Sequence, residues 1–292
     1  MKRHVKWLLL ALSFACLAGT AGCGSSEEVT ADSFSTEEEV IPEEVEAEEP
    51  EEEEVEEVAP EGMYRSELTN EWISEDLKDQ RPIAVMVDNE KTALPHYGLS
   101  QADIVYEMMN STQNGQITRF MVLFKDYDSV SQIGSVRSVR PTNLMIAPEW
   151  NAIVCHDGGP FYINTFLAND YVDHFSGTFS RVDNGKPREF TEYILPGDME
   201  DNFSNSSVDR NYNEYAPTEP HFEFASESNP VDLSGEAGST ACTLVDLPFP
   251  HNGSELNYDE ASGTYLYSEY GSAHVDPGNN NQQLAFKNVI LQ

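Results

Sequence analysis

The stretch Ile117-Thr118-Arg119-Phe120-Met121-Val122-Leu123-Phe124 decides how the folded part of this chain is read. It is rich in β-branched and aromatic residues and interrupted by one charge, which is the composition of a strand. Residues 103–109 form a second strand. A turn holding Asn114-Gly115, a favoured hairpin dipeptide, joins the two. The six residues 111–116 leave the register of that hairpin open. Pro82 opens a further apolar strand, 83–87, which ends at Asp88-Asn89. Outward from this core, 133–140 reads as a loop. Pro141 suits the first turn of a short helix running towards Ala147. Residues 151–155 read as a buried strand, and Gly158-Gly159-Pro160 as the start of a helix through Leu167.

Residues 63–80 read as a helical or irregular lead-in. Beyond Ser180 the chain turns polar, punctuated by Pro187, Pro196, Pro217, Pro220 and Pro230. Short strands are expected again at 241–245, 255–259 and 264–268, with a hairpin turn at 259–263. A last one is expected at 284–291. The fold class is α+β: a mixed sheet with flanking helices over 63–230, then a smaller β-rich region over 231–292. The final strand stops without a turn or partner, which predicts a truncated C-terminal domain.

The first residues carry an address. Lys2, Arg3 and Lys6 precede an apolar run over 7–18, then Gly19, Thr20, Ala21, Gly22 and Cys23. This layout is a secretory signal over 1–22 ending in a lipobox, and it predicts a mature chain that starts at a lipidated Cys23. Thr20 stands where Leu is commoner, and the bland alternative is a secreted protein with an incidental cysteine. The apolar run falls short of the ~20 residues a spanning helix needs. A single acyl chain anchors weakly, whereas a diacylated or triacylated cysteine holds. The expected location is the extracellular face of the cell membrane, lipid-anchored.

Residues 27–61 hold eighteen acids and no Lys or Arg, without helical or strand periodicity. Such a segment buries too little apolar surface to offset ordering entropy. It predicts a disordered tether over 23–62, reaching at least roughly 35 Å as a flexible coil. Residues 62–292 retain thirty-four acids against thirteen Lys and Arg, a net charge of −21. A body that acidic argues against nucleic acid as a partner and against direct adhesion to anionic lipid. Any cluster of arginines on it is therefore informative.

Arg137 and Arg140 lie in Ile133-Gly134-Ser135-Val136-Arg137-Ser138-Val139-Arg140-Pro141. Gly134 permits an unusual turn, and Ser138 adds a hydroxyl. A helix starting at Pro141 would set its free N–H groups beside the pair. Guanidinium groups grip carboxylates and phosphates bidentately, so this segment is a candidate anion site. The bland alternative is pairing of each arginine with a nearby acid. Strand alternation places Arg119 on the face of Ile117, Met121 and Leu123, where its charge needs a partner. Glu107 is one candidate partner.

His156 follows a buried strand and precedes Asp157-Gly158-Gly159. A histidine there is a candidate acid or base, while Cys155 points to the opposite face and reads as core. Cys155 and Cys242 are the one possible disulfide pair within 62–292. No Cys-x-x-Cys or His-x-x-x-His spacing supports zinc, and no cofactor fingerprint is present.

Four ordered motifs together resemble the YerB-type lipoproteins of Gram-positive bacteria. They are Arg81-Pro82-Ile83-Ala84-Val85-Met86-Val87-Asp88-Asn89, Gln101-Ala102-Asp103-Ile104-Val105-Tyr106-Glu107, Ile117-Thr118-Arg119-Phe120 and the Ile133–Pro141 segment above. Lys287-Asn288-Val289-Ile290 resembles the start of that family's second conserved segment. The resemblance covers roughly 81–292 and is to a domain of unknown function, so it implies architecture, including a longer C-terminal domain, rather than chemistry. Two departures stand out. Residues 108–116 are longer than the family's acidic Gly-Gly turn. The family's Arg-Ala-Pro-His-Asn motif maps to the stretch from Arg181 to Glu189, where Lys186-Pro187-Arg188-Glu189 replaces the histidine.

Two functions follow as expectations. In the first, Arg119, Arg137, Arg140 and Arg181, with Ser138, line a pocket for an anionic wall component or partner protein. In the second, Asp88 or Glu107 with His156 forms the acid–base centre of an envelope hydrolase or transferase. A purely structural role, with every arginine held in an internal salt bridge, is the third.

Overall fold

The structure is a computed structural model that describes residues 58–113, 115–226 and 228–292. The signal segment, Cys23 and the acidic run up to residue 57 lie outside the described residues, as does Asn114 of the expected hairpin turn. The first element is a hairpin of β1 (Met63–Arg65) and β2 (Trp72–Ser74), then a helical turn at Glu75–Leu77. This corrects the helical or irregular lead-in expected over 63–80. Asn70 N–H closes the turn on the Ser66 carbonyl at 2.8 Å, and the Arg65 guanidinium lies 4.0 Å over the Trp72 ring.

The central strands follow as β3 (Ile83–Asp88), β4 (Ile104–Met109) and β5 (Thr118–Phe124). After them come β6 (Ile133–Gly134), helix α1 (Pro141–Ile146), β7 (Ile153–His156), the single-turn α2 (Asn164–Leu167) and β8 (His174–Ser176). The main sheet has the order β4-β5-β3-β7-β8, antiparallel across β4, β5 and β3 and parallel across β3, β7 and β8. β3 is the middle strand and all six of its residues are buried. Both faces of the sheet are covered, which is why 83–87 reads as a continuous apolar run rather than an alternating one.

A small sheet of β6, β9 (Ser180–Arg181) and β10 (Glu192–Ile194) packs at the side, followed by α3 (Asp198–Ser204). The C-terminal part forms its own antiparallel sheet from β11 (Leu244–Asp246), β12 (Glu255–Asp259), β13 (Thr264–Glu269) and β14 (Ser272–Ala273). β15 (Val275–Asp276) pairs with β16 (Gln282–Gln283), and β17 (Ala285–Phe286) returns to β13. The strand expected over 284–291 is thus confined to two residues. The helix expected through Leu167 shrinks to a turn at Phe161–Ile163 and α2.

The architecture is α+β, a mixed sheet with few helices and a separate β-rich sheet. Two apolar clusters hold it. One contains Val85, Val87, Phe120, Val122 and Cys155 with Leu256, Tyr267 and Leu284, so the C-terminal sheet closes over one face of the central sheet. The other contains Ala84, Met86, Met121 and Leu123 with Leu144 and Trp150 of the α1 region. Each fully buried side chain of this kind contributes about 1.5–3 kcal/mol. Cys155 is buried and free, and Cys242 is exposed and free, so the two do not bridge.

Candidate functional site

Strand register sorts the charged residues before any side chain is considered. Asp88, Arg119 and Met108 share one cross-strand row; Val87, Phe120 and Glu107 share the next. Adjacent rows point to opposite faces. Arg119 and Glu107 therefore lie on opposite sides of the sheet, and the expectation that they pair is corrected.

The segment carrying Arg137 and Arg140 lies across the C-terminal ends of β3 and β7, which are parallel and so end at the same edge. Asp88 N–H bonds the Ser135 carbonyl at 3.2 Å and Arg137 N–H the Met86 carbonyl at 2.8 Å. On the other side Asp157 N–H bonds the Arg137 carbonyl at 3.0 Å and Val139 N–H the Gly158 carbonyl at 3.1 Å. Gly134 starts this path at φ +135°, where an added Cβ would lie 2.7 Å from the Val136 nitrogen. No other residue fits such a turn without strain.

This path brings Arg119, Arg137 and Arg140 to one open cleft of about 420 Å³. Asp88, 2% exposed, is its anchor. One of its oxygens accepts from Arg137 Nε at 2.7 Å and from Arg119 Nη2 at 3.3 Å; the other accepts from Glu90 N–H at 3.0 Å. Arg119 Nη1 donates to the Ser138 carbonyl at 2.7 Å, while its buried Nε has no hydrogen-bond partner. Burial pulls the Arg119 guanidinium down to about 10, with Asp88 opposing and Arg140 and Arg137 adding to the shift. Arg137 also donates to Glu189 at 2.6 Å and lies 5.4 Å over the Phe190 ring. Burial would lower Arg137, but its bonds to Asp88 and Glu189 outweigh that and raise it.

Arg140 differs from both. Its guanidinium donates only to the backbone carbonyls of Val139 at 3.0 Å and Ser138 at 3.5 Å, and it has no carboxylate partner among the described residues. Burial lowers its pKa, with Arg137 adding to the shift and Tyr162 and Asp88 opposing it. Three carboxylates also line the cleft, each engaged: Asp88 by two arginines, Glu189 by Arg137, Glu90 by the Thr92 N–H at 3.0 Å. A lone cation beside two shared ones can take a phosphate or carboxylate. Helix α1 does begin at Pro141, but with six residues its dipole adds little.

The remaining expected residues are elsewhere. Ser138 takes part through its backbone carbonyl, not its hydroxyl. Arg181 does not line this cleft; it lies by a second surface hollow and is neutralised by Glu192 and, at 2.8 Å, by Asp157. Burial pushes Glu192 up to about 7, with Asp157 adding to the shift. His156 is buried, with its ring nitrogens 2.7 Å from the Gly158 carbonyl and 3.1 Å from His174 Nδ1. Burial lowers it to about 4.

Glu107 sits in a different polar cluster, at the seam with the C-terminal sheet. Its carboxylate accepts from Thr118 and Ser254 hydroxyls at 2.8 Å, from Asn252 and Tyr267 at 2.9 Å, and from Asn89 at 3.3 Å. Burial pushes it up to about 7 against these bonds, with Glu269 adding to the shift. The geometry therefore does not assemble Asp88, Glu107 and His156 into one centre.

Cleft residues that sequence reasoning missed are Glu90, Asn110, Glu189, Phe190 and His251. Glu189 and Phe190 adjoin the altered Lys186–Glu189 motif, which was the available signal. His251 comes from the C-terminal part, and no local pattern announces it.

The central sheet region and the C-terminal sheet each match one domain of a single family. The "Protein of unknown function (DUF3048) N-terminal domain" matches residues 68–212, and the corresponding C-terminal domain matches 245–292. The chain belongs to this family, the YerB type. It is 26% identical over 239 residues to the "Putative lipoprotein YerB" of Bacillus subtilis (strain 168), covering 78% of this chain and 66% of that protein's length. It also resembles the crystal structure of the YerB protein from Bacillus subtilis, with a TM-score of 0.60 and 25% identity over 76% of this chain and 72% of that one.

Proposed function

We propose that this chain is an envelope lipoprotein, anchored through Cys23 on the outer face of the cell membrane, whose arginine cleft binds an anionic envelope component. The lipoprotein name of the Bacillus subtilis relative and the lipobox-like Gly19–Cys23 sequence support the anchor. The cleft supports the binding. The observation that carries this reading is Arg140, a partly buried cation that faces the same cleft as Arg119 and Arg137 and, among the described residues, bonds only backbone carbonyls. An anion there would receive a charge-assisted bond without displacing an existing carboxylate.

Binding is favoured over catalysis because the acid and base candidates lie on different faces or are already occupied. Calorimetric titration of the purified full chain with inorganic phosphate and with a glycerol phosphodiester polymer tests the proposal. An Arg137→Ala/Arg140→Ala variant that remains folded should lose binding. Equal affinity in the two proteins would reject the arginine cleft.

A further inference from the structure

A second cluster lies at the seam between the two sheets, away from the arginines. His96, in the loop before the Tyr97–Gly134 bridge, is 0% exposed, and among the described residues neither ring nitrogen makes a well-formed hydrogen bond, the Asp88 backbone offering only a weak contact. Its ring lies 5.0 Å from that of His274, centroid to centroid, and edge-on to Phe120. His274, between β14 and β15, is 4% exposed, and its Nε2 also has no partner. Its Nδ1 is 2.8 Å from Glu269 Oε1, and Glu269 at the end of β13 is 2% exposed. One ligand atom from each of these three residues lies within 4.8 Å of the others.

Three unpartnered imidazole nitrogens in one buried pocket are hard to account for by packing alone. Buried polar groups are nearly always satisfied, and each exception needs a cause. A neutral imidazole has one N–H and one lone pair. In the ion-free state one proton is shared between His274 Nδ1 and Glu269; once a metal displaces it, Nδ1 and the carboxylate both offer lone pairs. His96 presents another bare lone pair. Imidazole and carboxylate lone pairs that converge in one buried pocket are what a metal ion requires.

We propose that His96, His274 and Glu269 form a binding site for a divalent transition-metal ion of the zinc class. Two imidazoles and one carboxylate match that class, whereas calcium and magnesium favour oxygen-only sites. The ligands come from three separate segments, so no short spacing motif marks them. One ligand belongs to the first sheet region and two to the C-terminal sheet, so the ion would fasten the seam. The three side chains are closed off from solvent, and three protein ligands would leave a fourth position for a water molecule.

The test uses the full chain, freed of metal with a chelator and then titrated with Zn²⁺ and Co²⁺ in excess Mg²⁺. The excess magnesium competes for the carboxylates of the acidic run at residues 27–61. The proposal predicts one tightly bound ion per chain, a Co²⁺ ligand-field spectrum, and a melting temperature that rises with Zn²⁺. His96→Gln and His274→Gln should each weaken binding by at least about 100-fold, since even supporting residues of metal sites cost up to that much. His221→Gln, at a histidine stacked on Trp150, should not. X-ray absorption of the zinc-loaded wild type should show two imidazole ligands, a readout that holds even where a variant fails to fold. A folded wild type that takes up no stoichiometric ion, or zinc ligated by oxygen alone, would overturn the site.

Discussion

Arg119 and Glu107 sit one cross-strand row apart, yet they inhabit opposite worlds. On the cleft side, three arginines crowd around one buried carboxylate, Asp88, and Arg140 is left without an acid. On the seam side, one carboxylate collects five donors, three of them from the C-terminal part of the chain. The first side is open and holds one arginine paired with no carboxylate among the described residues; the second is closed and saturated. A charge is tolerated in a protein interior only with partners. The site with spare bonding capacity is the one suited to a ligand, and the saturated site is suited to holding two sheets together.

The largest effect should come from removing the anchor of the open side. Asp88→Ala leaves Arg119 buried without a carboxylate, and breaking a buried pair in this way costs about 3–5 kcal/mol. Urea unfolding measures it; a loss below about 1 kcal/mol would show that Asp88 is not the anchor.

The closed side should reveal itself through pH. Glu107 holds its proton up to about 7 in the folded chain, well above an ordinary glutamate. The folded state therefore binds more protons than the unfolded one between roughly pH 4.5 and 7. Stability from this group is complete below that window and declines as pH rises through it, by up to about 1.4 kcal/mol per pH unit. Glu107→Gln should lack this decline, so the stability difference between the two proteins should change across the window. A difference that is flat with pH would place the proton elsewhere.

Smaller still, Tyr267→Phe removes one donor to Glu107 and should cost about 1.5–3 kcal/mol if the carboxylate is charged and about 0.5–1.5 kcal/mol if it is neutral. Measuring it at pH 5 and pH 8 sharpens the contrast. At the bottom of the scale, Arg140→Ala should change stability by no more than about 0.5 kcal/mol, because it breaks no ion pair. Its effect belongs to binding.

Much of the frame was legible in the sequence, for local reasons. The apolar runs 83–87 and 117–124 and the strand at 103–109 are continuous hydrogen-bonded segments whose composition suffices. Pro141 marks its helix because a missing N–H costs nothing there. The convergence of Arg119 with Arg137 and Arg140 follows from a short strap and one strand. What was illegible depends on register or on distance along the chain. The 111–116 linker did not fix which row Glu107 joins, so its face was open until the pairing with Phe120 was seen. Arg181 reads like the other arginines, but β9 carries it to a neighbouring hollow where Glu192 claims it. The hairpin β1–β2 was missed because Met63–Arg65 and Trp72–Ser74 are only three residues each. His251 and the donors from Asn252 to Tyr267 come from a separate sheet, and no local period reports such contacts.

One comparison tests the central claim directly: calorimetric titration of inorganic phosphate into the full chain, Arg140→Ala and Arg181→Ala under the same salt. Arg140→Ala should bind at least about 10-fold more weakly, the loss of one charge-assisted contact worth about 1.5 kcal/mol or more. Arg181→Ala should bind like the unaltered chain. Equal affinity for Arg140→Ala, or a loss confined to Arg181→Ala, would contradict the account.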